Sequence, residues 1–203
     1  MGLVGDLGDD ASLQKEARQL TDKWLKDRRA VQPDLVELVV RLAGQSADAS
    51  YHQKLLDAAK AATDRHDRMT LLSALAMTED PALVKKNLEI LSGTDFDPRE
   101  GYLLLFGALG RPQTREVAYD FVKGNWDVMA KSLPKQAVPF LVGIAGSFCD
   151  PKHREDAEAF FKPRTASFPG ADQSLGRALE TVDLCIALKE KQQGSVSAFL
   201  RGY

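Results

Sequence analysis

Three histidines and two cysteines are the side chains of this 203-residue chain best suited to hold a metal ion or to act as a nucleophile. His52, His66 and His153 each lack a second histidine or cysteine within the few residues that helical metal sites use. The chain also contains no HExxH, CxxC, GxSxG or glycine-rich phosphate-loop motif. The sequence therefore predicts no catalytic residue, no metal ligand and no cofactor in this chain.

The two cysteines, Cys149 and Cys185, are far apart in sequence and could form a disulfide. Two isolated cysteines in a chain of this size are more often reduced and buried, and Cys185 lies beside Val182 and Ile186 in an apolar helical pattern. Residues 1–4 lack the basic segment and the long apolar core of a secretion signal. We therefore expect reduced cysteines and a cytoplasmic location.

The charges of the chain are almost balanced, with 27 Lys and Arg against 29 Asp and Glu, for a net charge of −2. This balance argues against a dedicated binder of nucleic acid or of anionic membranes. The most apolar stretch, residues 101–109, has about half of the ~18 residues that a membrane-spanning helix needs.

Nearly the whole chain has the apolar spacing of amphipathic helices, and no segment alternates with period two for long enough to indicate a strand. Asp-Pro pairs at 80–81, 97–98 and 150–151 each place an N-capping carboxylate before a proline in the first helical turn. The predicted helices are 13–25, 34–42 (stopped by Gly44), 51–62, 67–77, 82–91, 99–109, 112–124 (opened by Pro112), 127–131, 136–148, 152–161, 172–191 and 195–200.

The predicted helix starts recur regularly, since every second start lies about thirty residues further along the chain. A period of this length in paired helices is typical of an α-solenoid, in which each pair covers the apolar face of its neighbours. The pairs are not alike in sequence, which disfavours tetratricopeptide repeats. The sequence therefore predicts an all-α fold, a HEAT-like superhelix of antiparallel helix pairs that forms one domain over residues 1–203.

Residues 118–126, AYDFVKGNW, supply the aromatic centre of this arrangement. On a helix, Ala118, Phe121, Val122 and Trp126 share one face, which other helices must cover. Gly124 and Asn125 both tolerate the left-handed conformation that can end a helix. Phe121 and Trp126 are therefore predicted to be structural anchors.

The same stretch resembles the "A-W-x-F…N-W" signature in the C-terminal helical domain of zinc aminopeptidases of the alanyl-aminopeptidase and puromycin-sensitive aminopeptidase family. Tyr119 and Phe199 stand where that family often has Trp. The resemblance extends from about Asp9 to Leu200, and further similar segments follow in the family's order. They are ALA at 74–76 with DPAL at 80–83, FC at 148–149, AFF at 159–161, RALE at 177–180 with Val182, and VSAFL at 196–200.

The resemblance implies a lid that closes over the active site of a zinc-dependent aminopeptidase, limits access to peptides and contacts their far ends. The family's catalytic elements, HExxH, a downstream glutamate and G-x-M-E-N, are absent from this chain. The implied zinc therefore belongs to the catalytic domain of a parent enzyme. That catalytic domain and a peptide substrate are the implied partners, with no nucleic acid and no membrane.

Arg111 is the candidate substrate-binding residue. It lies in a Gly-Arg-Pro turn between two predicted helices, where an arginine is usually exposed to solvent. The family resemblance implies instead that a basic group here meets the carboxylate of a bound peptide, which a guanidinium can bind through two hydrogen bonds. Two other functions remain open: a free-standing HEAT-like adaptor for a protein partner, and an enzyme in its own right.

Overall fold

The computed structural model describes residues 10–93 and 95–202, so the expectation about residues 1–4 lies outside the described residues. The described residues form eleven α-helices and no strand, which confirms the all-α fold. The helices are α1 (Ala11–Lys26), α2 (Pro33–Gln45), α3 (Ala49–Ala61), α4 (Arg65–Ala76), α5 (Pro81–Glu89), α6 (Pro98–Leu109), α7 (Arg115–Gly124), α8 (Trp126–Ser132), α9 (Val138–Gly143), α10 (Pro151–Thr165) and α11 (Ala171–Arg201).

The three Asp-Pro helix starts are confirmed. Asp80 accepts a hydrogen bond from the Ala82 amide at 2.8 Å, and Asp97 accepts one from the Arg99 amide at 2.9 Å. Asp150 accepts one from the His153 amide at 3.0 Å. Each carboxylate thus satisfies an amide that has no partner within its helix.

Two predicted helix boundaries are wrong because tertiary packing or turn geometry decides them. Gly44 does not stop α2, which continues to Gln45, and Gly44 is buried inside the helix. Pro112 does not open α7. The chain forms a turn from Pro112 to Thr114, the Thr114 hydroxyl donates to the Ala108 carbonyl at 2.8 Å, and α7 begins at Arg115.

Two further boundaries are wrong in the C-terminal half. The predicted helix 136–148 is broken into a 3₁₀ turn, α9 and a second 3₁₀ turn, Ile144–Ser147. The two predicted helices 172–191 and 195–200 are instead one continuous helix, α11, which runs through Gly194. An exposed glycine lowers the stability of a helix by only ~1 kcal/mol relative to alanine, which is too little to end a helix.

The described residues divide into two compact units, residues 1–118 and 119–203, with the boundary inside α7. Two compact units can together make one domain, so the single domain over residues 1–203 stays a prediction. No helix among residues 10–93 and 95–202 is long and apolar enough to cross a membrane.

In the first unit, helices α1, α3 and α5 pack on α2, α4 and α6 respectively, and α2, α4 and α6 lie side by side. From α2 to α7, every second helix begins 32–34 residues further along the chain. Side-chain hydrogen bonds between neighbouring helix pairs follow a similar interval, for example from Gln45 to Glu79 in the loop after α4 and from Arg68 to Glu100. This regular packing agrees with the predicted helix pairs, whereas their arrangement as a solenoid stays a prediction.

Glycines bring α2, α4 and α6 into unusually close contact. A Cβ atom on Gly44 would lie 2.1 Å from the Ala74 carbonyl oxygen, and one on Gly107 would lie 2.4 Å from the Ala76 carbonyl oxygen. Both glycines therefore face the backbone of α4 at distances that no other residue type allows. This contact fixes the register in which the ends of α2, α4 and α6 meet.

The second unit is built around the first half of α11. Helices α9 and α10 and the 3₁₀ turn Ile144–Ser147 pack against it. Its buried residues end at Val182, about two-fifths of the way along the 31-residue helix. Aromatic side chains from α7, α8 and α10 fill the adjoining core, as described below.

Candidate functional site

Arg111 is not a solvent-exposed turn arginine, because only 16% of its side chain is accessible. Its guanidinium forms an ion pair with the carboxylate of Glu79, which lies between α4 and α5. The interpretation of a solvated turn residue is therefore wrong. The reason is tertiary, since α4 and α6 end side by side and their following loops meet.

Five side chains gather at this end of the first unit, and we call them the arginine cluster: Arg41, Gln45, Met77, Glu79 and Arg111. Gln45 donates to Glu79 Oε1 at 3.1 Å, so Glu79 is held by residues from two directions. The Met77 sulfur lies 3.4 Å from Arg41 Nη2 and 3.6 Å from Arg111 Nη2. Two guanidinium groups thus contact the same sulfur atom.

The position of the cluster follows from the direction of the helices. Gln45 is the last residue of α2, Met77 caps the C-terminal end of α4, and Arg111 follows the end of α6. The C-terminal end of a helix carries partial negative charge, so it stabilises a nearby cation. Three such ends meet here, which gives the arginines a structural reason to be present as well as a functional one.

Arg41 is the second basic residue of the cluster, and sequence reasoning does not single it out. Its side chain is 41% exposed, and its nearest carboxylate is Glu37 at 4.0 Å, which is itself 71% exposed. Arg41 therefore offers charge to a ligand at the surface, whereas Arg111 is largely committed to Glu79. The repeat interval could have revealed it, because Arg41, Met77 and Arg111 lie 36 and 34 residues apart in sequence.

An aromatic stripe on α6 leads to the same end of the unit. Tyr102 and Phe106 are four residues apart and so share one face of α6, and Gly110 next to Arg111 continues that line. The Phe106 side chain is 45% exposed, and Tyr102 is half-buried. Burial raises the pKa of the Tyr102 hydroxyl above its usual value. The surface offers apolar contacts beside basic groups.

The three histidines lie in unrelated surroundings. His52 is buried, and its Nε2 lies 2.8 Å from Asn87 Oδ1. His66 is exposed in the first turn of α4, and His153 Nδ1 lies 2.7 Å from the Asp150 carboxylate. Residues 10–93 and 95–202 contain no group of three or more His, Cys, Asp or Glu able to hold a metal ion. These histidines do not fit a zinc site, and the absence of a cofactor stays a prediction.

The two predicted anchor residues differ in burial. Trp126 is 5% exposed, and its ring contacts those of Phe160, Phe161 and Phe168 edge-on at centroid distances of 6.1, 5.4 and 6.3 Å. Phe121 is only half-buried.

Tyr119 takes the fully buried position beside this core. It is 1% exposed, and its hydroxyl donates to Asp156 at 2.8 Å. Of the predicted face, Ala118, Val122 and Trp126 are buried and only Phe121 is not. Asn125 has φ −112° and not the left-handed conformation, and a new helix begins after it, so Trp126 belongs to α8 and not to α7.

Lys123 completes the contacts around Asp156. Its Nζ lies 2.7 and 2.6 Å from the two carboxylate oxygens. The Lys123 and Tyr119 contacts hold the pKa of the Asp156 carboxyl below its usual range, although burial opposes them. Asp156 therefore stays ionised and links α7 to α10.

Cys149 and Cys185 form a disulfide, so the prediction of two reduced cysteines is wrong. Their Cα atoms are 5.3 Å apart, because packing of the turn before α10 against α11 brings together residues 36 positions apart. The sequence alone did not place these two segments side by side. We expected a cytoplasmic location partly because we expected reduced cysteines. That location stays a prediction and now depends on the sequence of residues 1–4 alone.

Comparison with known proteins adds a relationship that covers most of the chain. The family described as "ERAP1-like C-terminal domain" matches residues 1–184. Aminopeptidase M1-D from rice, Oryza sativa subsp. japonica, is 25% identical over 187 residues, which cover 90% of this chain and 21% of the rice protein. The protein named "Aminopeptidase 2, mitochondrial" from Saccharomyces cerevisiae is 21% identical over 197 residues, which cover 95% of this chain and 20% of the yeast protein.

A second rice protein, Aminopeptidase M1-A, is 25% identical over 171 residues, which cover 80% of this chain and 19% of that protein. The chain therefore spans about a fifth of the length of these relatives.

Proposed function

Because the chain belongs to the ERAP1-like C-terminal domain family, we propose that it is the non-catalytic lid and substrate-access domain of a zinc aminopeptidase. In this proposal, a separate catalytic domain removes N-terminal residues from peptides and holds the zinc ion. The present chain contacts the peptide away from the bond that is cleaved. The match of three aminopeptidases to this chain over about a fifth of their length supports that division of labour.

The arginine cluster is the observation that supports contact between this domain and a peptide. A peptide ends in a carboxylate, and guanidinium groups pair with carboxylates through charged hydrogen bonds. Arg41 provides an accessible guanidinium, and Arg111 provides a second one fixed by Glu79 and in contact with the same methionine sulfur. Phe106 and Tyr102 supply apolar surface for side chains near the carboxyl end of the peptide.

Because Arg111 is paired with Glu79 and Arg41 is more exposed, Arg41 is the better residue to substitute in a test of peptide binding. Removal of the Arg111 side chain would leave the Glu79 carboxylate without its ion-pair partner and would disturb the fold as well as the binding site. Arg41→Gln removes the exposed charge with less disturbance, since its nearest carboxylate is 4.0 Å away. Arg29→Gln is a matched control, because Arg29 is an exposed arginine in the same unit and lies outside the cluster.

Nuclear magnetic resonance tests the contact directly on the 203-residue chain. We expect the Arg41 side-chain resonance to shift when a short peptide with a free carboxyl end is added at millimolar concentration. The amidated peptide should leave it unchanged, since it lacks the carboxylate. Equal shifts with both peptides, or none with either, would remove the carboxylate contact from the proposal and leave the domain as a lid only.

The second candidate function is a protein-interaction adaptor, and the regular side-by-side packing of α2, α4 and α6 favours it. An adaptor would bind a folded partner without requiring a catalytic domain in the same polypeptide. An open reading frame that continues upstream into an HExxH motif would decide for the aminopeptidase.

A further inference from the structure

The disulfide between Cys149 and Cys185 occupies a particular position on α11. Val182 is fully buried one turn earlier, and Cys185 is half-buried. Beyond Ile186, α11 continues to Arg201, and every residue except Ser197 is exposed. The covalent bond therefore lies just beyond Val182, the last buried residue of α11, where the exposed part of the helix begins.

The other end of the bond lies at the start of α10. Cys149 is flanked by Phe148, which is buried and stacked on the His153 ring at a centroid distance of 3.9 Å, and by Asp150, the residue that caps α10. The disulfide thus connects the start of the exposed part of α11 to the start of α10. Cys149 is half-buried as well, so neither cysteine is fully enclosed by protein.

The core of the second unit does not depend on the two sulfur atoms. Tyr119, Leu141, Phe161 and Val182 are each at most 1% exposed and come from four different helices. Burial of these side chains supplies the main stabilisation of the unit. A chain with both cysteines reduced should therefore keep its helices and lose only the covalent link.

We propose that the Cys149–Cys185 disulfide is a thiol–disulfide switch that controls how firmly the C-terminal half of α11 is held to the second unit. The reducing partner is a dithiol, either a small molecule or a protein. Its thiolate attacks one sulfur of the Cys149–Cys185 bond to form a mixed disulfide, and its second thiol then displaces the remaining cysteine. The products are two cysteine thiols and one oxidised dithiol, so two electrons and two protons pass to the chain.

The presence of only two cysteines makes the switch simple to measure. The chain is treated with graded dithiothreitol under native conditions, alkylated and weighed, so that each molecule carries either no label or two labels. We expect two labels while the helical circular dichroism signal is retained. The midpoint of thermal unfolding should fall by about 5–15 °C, because the closed loop no longer restricts the unfolded chain.

Loss of the tether should be greatest in α11. Trypsin cleavage after Lys189 and Lys191 should accelerate by about fivefold or more on reduction, because the helix opens more often at its base. Amide hydrogen exchange over residues 183–189 should accelerate in parallel. The double variant Cys149→Ser with Cys185→Ser should behave like the reduced chain whether or not dithiothreitol is present.

Four results would overturn the switch. Labelling that requires denaturant would make the bond a permanent structural link, as would loss of the helical signal on reduction. Failure of the double serine variant to fold would have the same meaning. Equal cleavage and exchange rates in the oxidised and reduced chains would show that the bond does not control α11.

Discussion

The two units of this chain achieve their stability by different means. The first unit repeats one device, in which helices α2, α4 and α6 approach at glycines and charged side chains join their ends. The second unit instead combines an aromatic core around Trp126 and Tyr119 with one covalent bond. The comparison indicates that a side chain added at the glycine contacts of the first unit acts by separating backbones, whereas a ring removed from the second unit acts by emptying a core.

The largest effect is expected in the second unit. Trp126→Ala removes a ring that is 5% exposed and contacts three phenylalanines, so it should lower the free energy of unfolding by about 3–5 kcal/mol. Chemical denaturation measures the change. Lys123 is unsuitable as a control because it pairs with Asp156. The exposed Lys131→Ala should change stability by less than about 0.5 kcal/mol, and equal midpoints for the two variants would contradict the anchor role.

A smaller but still substantial effect is expected from closing the glycine contact in the first unit. Gly44→Ala would place a methyl group 2.1 Å from the Ala74 carbonyl oxygen, so α2 and α4 must separate, at a cost of about 2–3 kcal/mol. Gly194→Ala is the matched control, because nothing lies within 4 Å of the new methyl group. That control should gain up to about 1 kcal/mol from helix propensity, and parallel losses in both variants would contradict the close contact.

The smallest change in stability should come from pH. Burial lowers the pKa of His52 below the ordinary value of a histidine, even though the hydrogen bond to Asn87 opposes this shift. The unfolded chain therefore binds a proton more readily than the folded chain, so stability should fall as the pH drops below about 6.5.

Denaturation between pH 7.5 and 5 measures the effect above the range where the carboxylates titrate. His52→Gln should flatten the profile. A profile that keeps its slope in the His52 variant would assign the pH dependence to another group.

Local features of the fold could be predicted from the sequence, because they depend on neighbouring residues. The caps at Asp80, Asp97 and Asp150 and the all-helical character are of this kind. The prediction that Gly44 ends α2 is wrong because a glycine that ends a helix and a glycine that lets a neighbouring backbone pack closely look alike in sequence. Only the position of α4 distinguishes the two.

The candidate site could be predicted only in part for the same reason. Arg111 was singled out by its turn and by family resemblance, but its ion pair with Glu79 joins residues 32 positions apart. Arg41 and the disulfide also depend on contacts between helices about one repeat apart. Helical periodicity shows which faces are apolar, but it does not show which polar residues from neighbouring pairs meet.

The most direct test of the proposed function is steady-state kinetics on a full-length aminopeptidase that carries this domain, with Arg41→Gln and the control Arg29→Gln. Three substrates are compared: a peptide with a free carboxyl end, its amidated twin and a one-residue chromogenic amide. Because Arg41 is partly exposed and therefore screened by solvent, its loss should raise KM for the free peptide about three- to tenfold. The other two substrates should be unaffected. An equal effect on all three substrates, or none on any, would contradict a carboxylate contact at the arginine cluster.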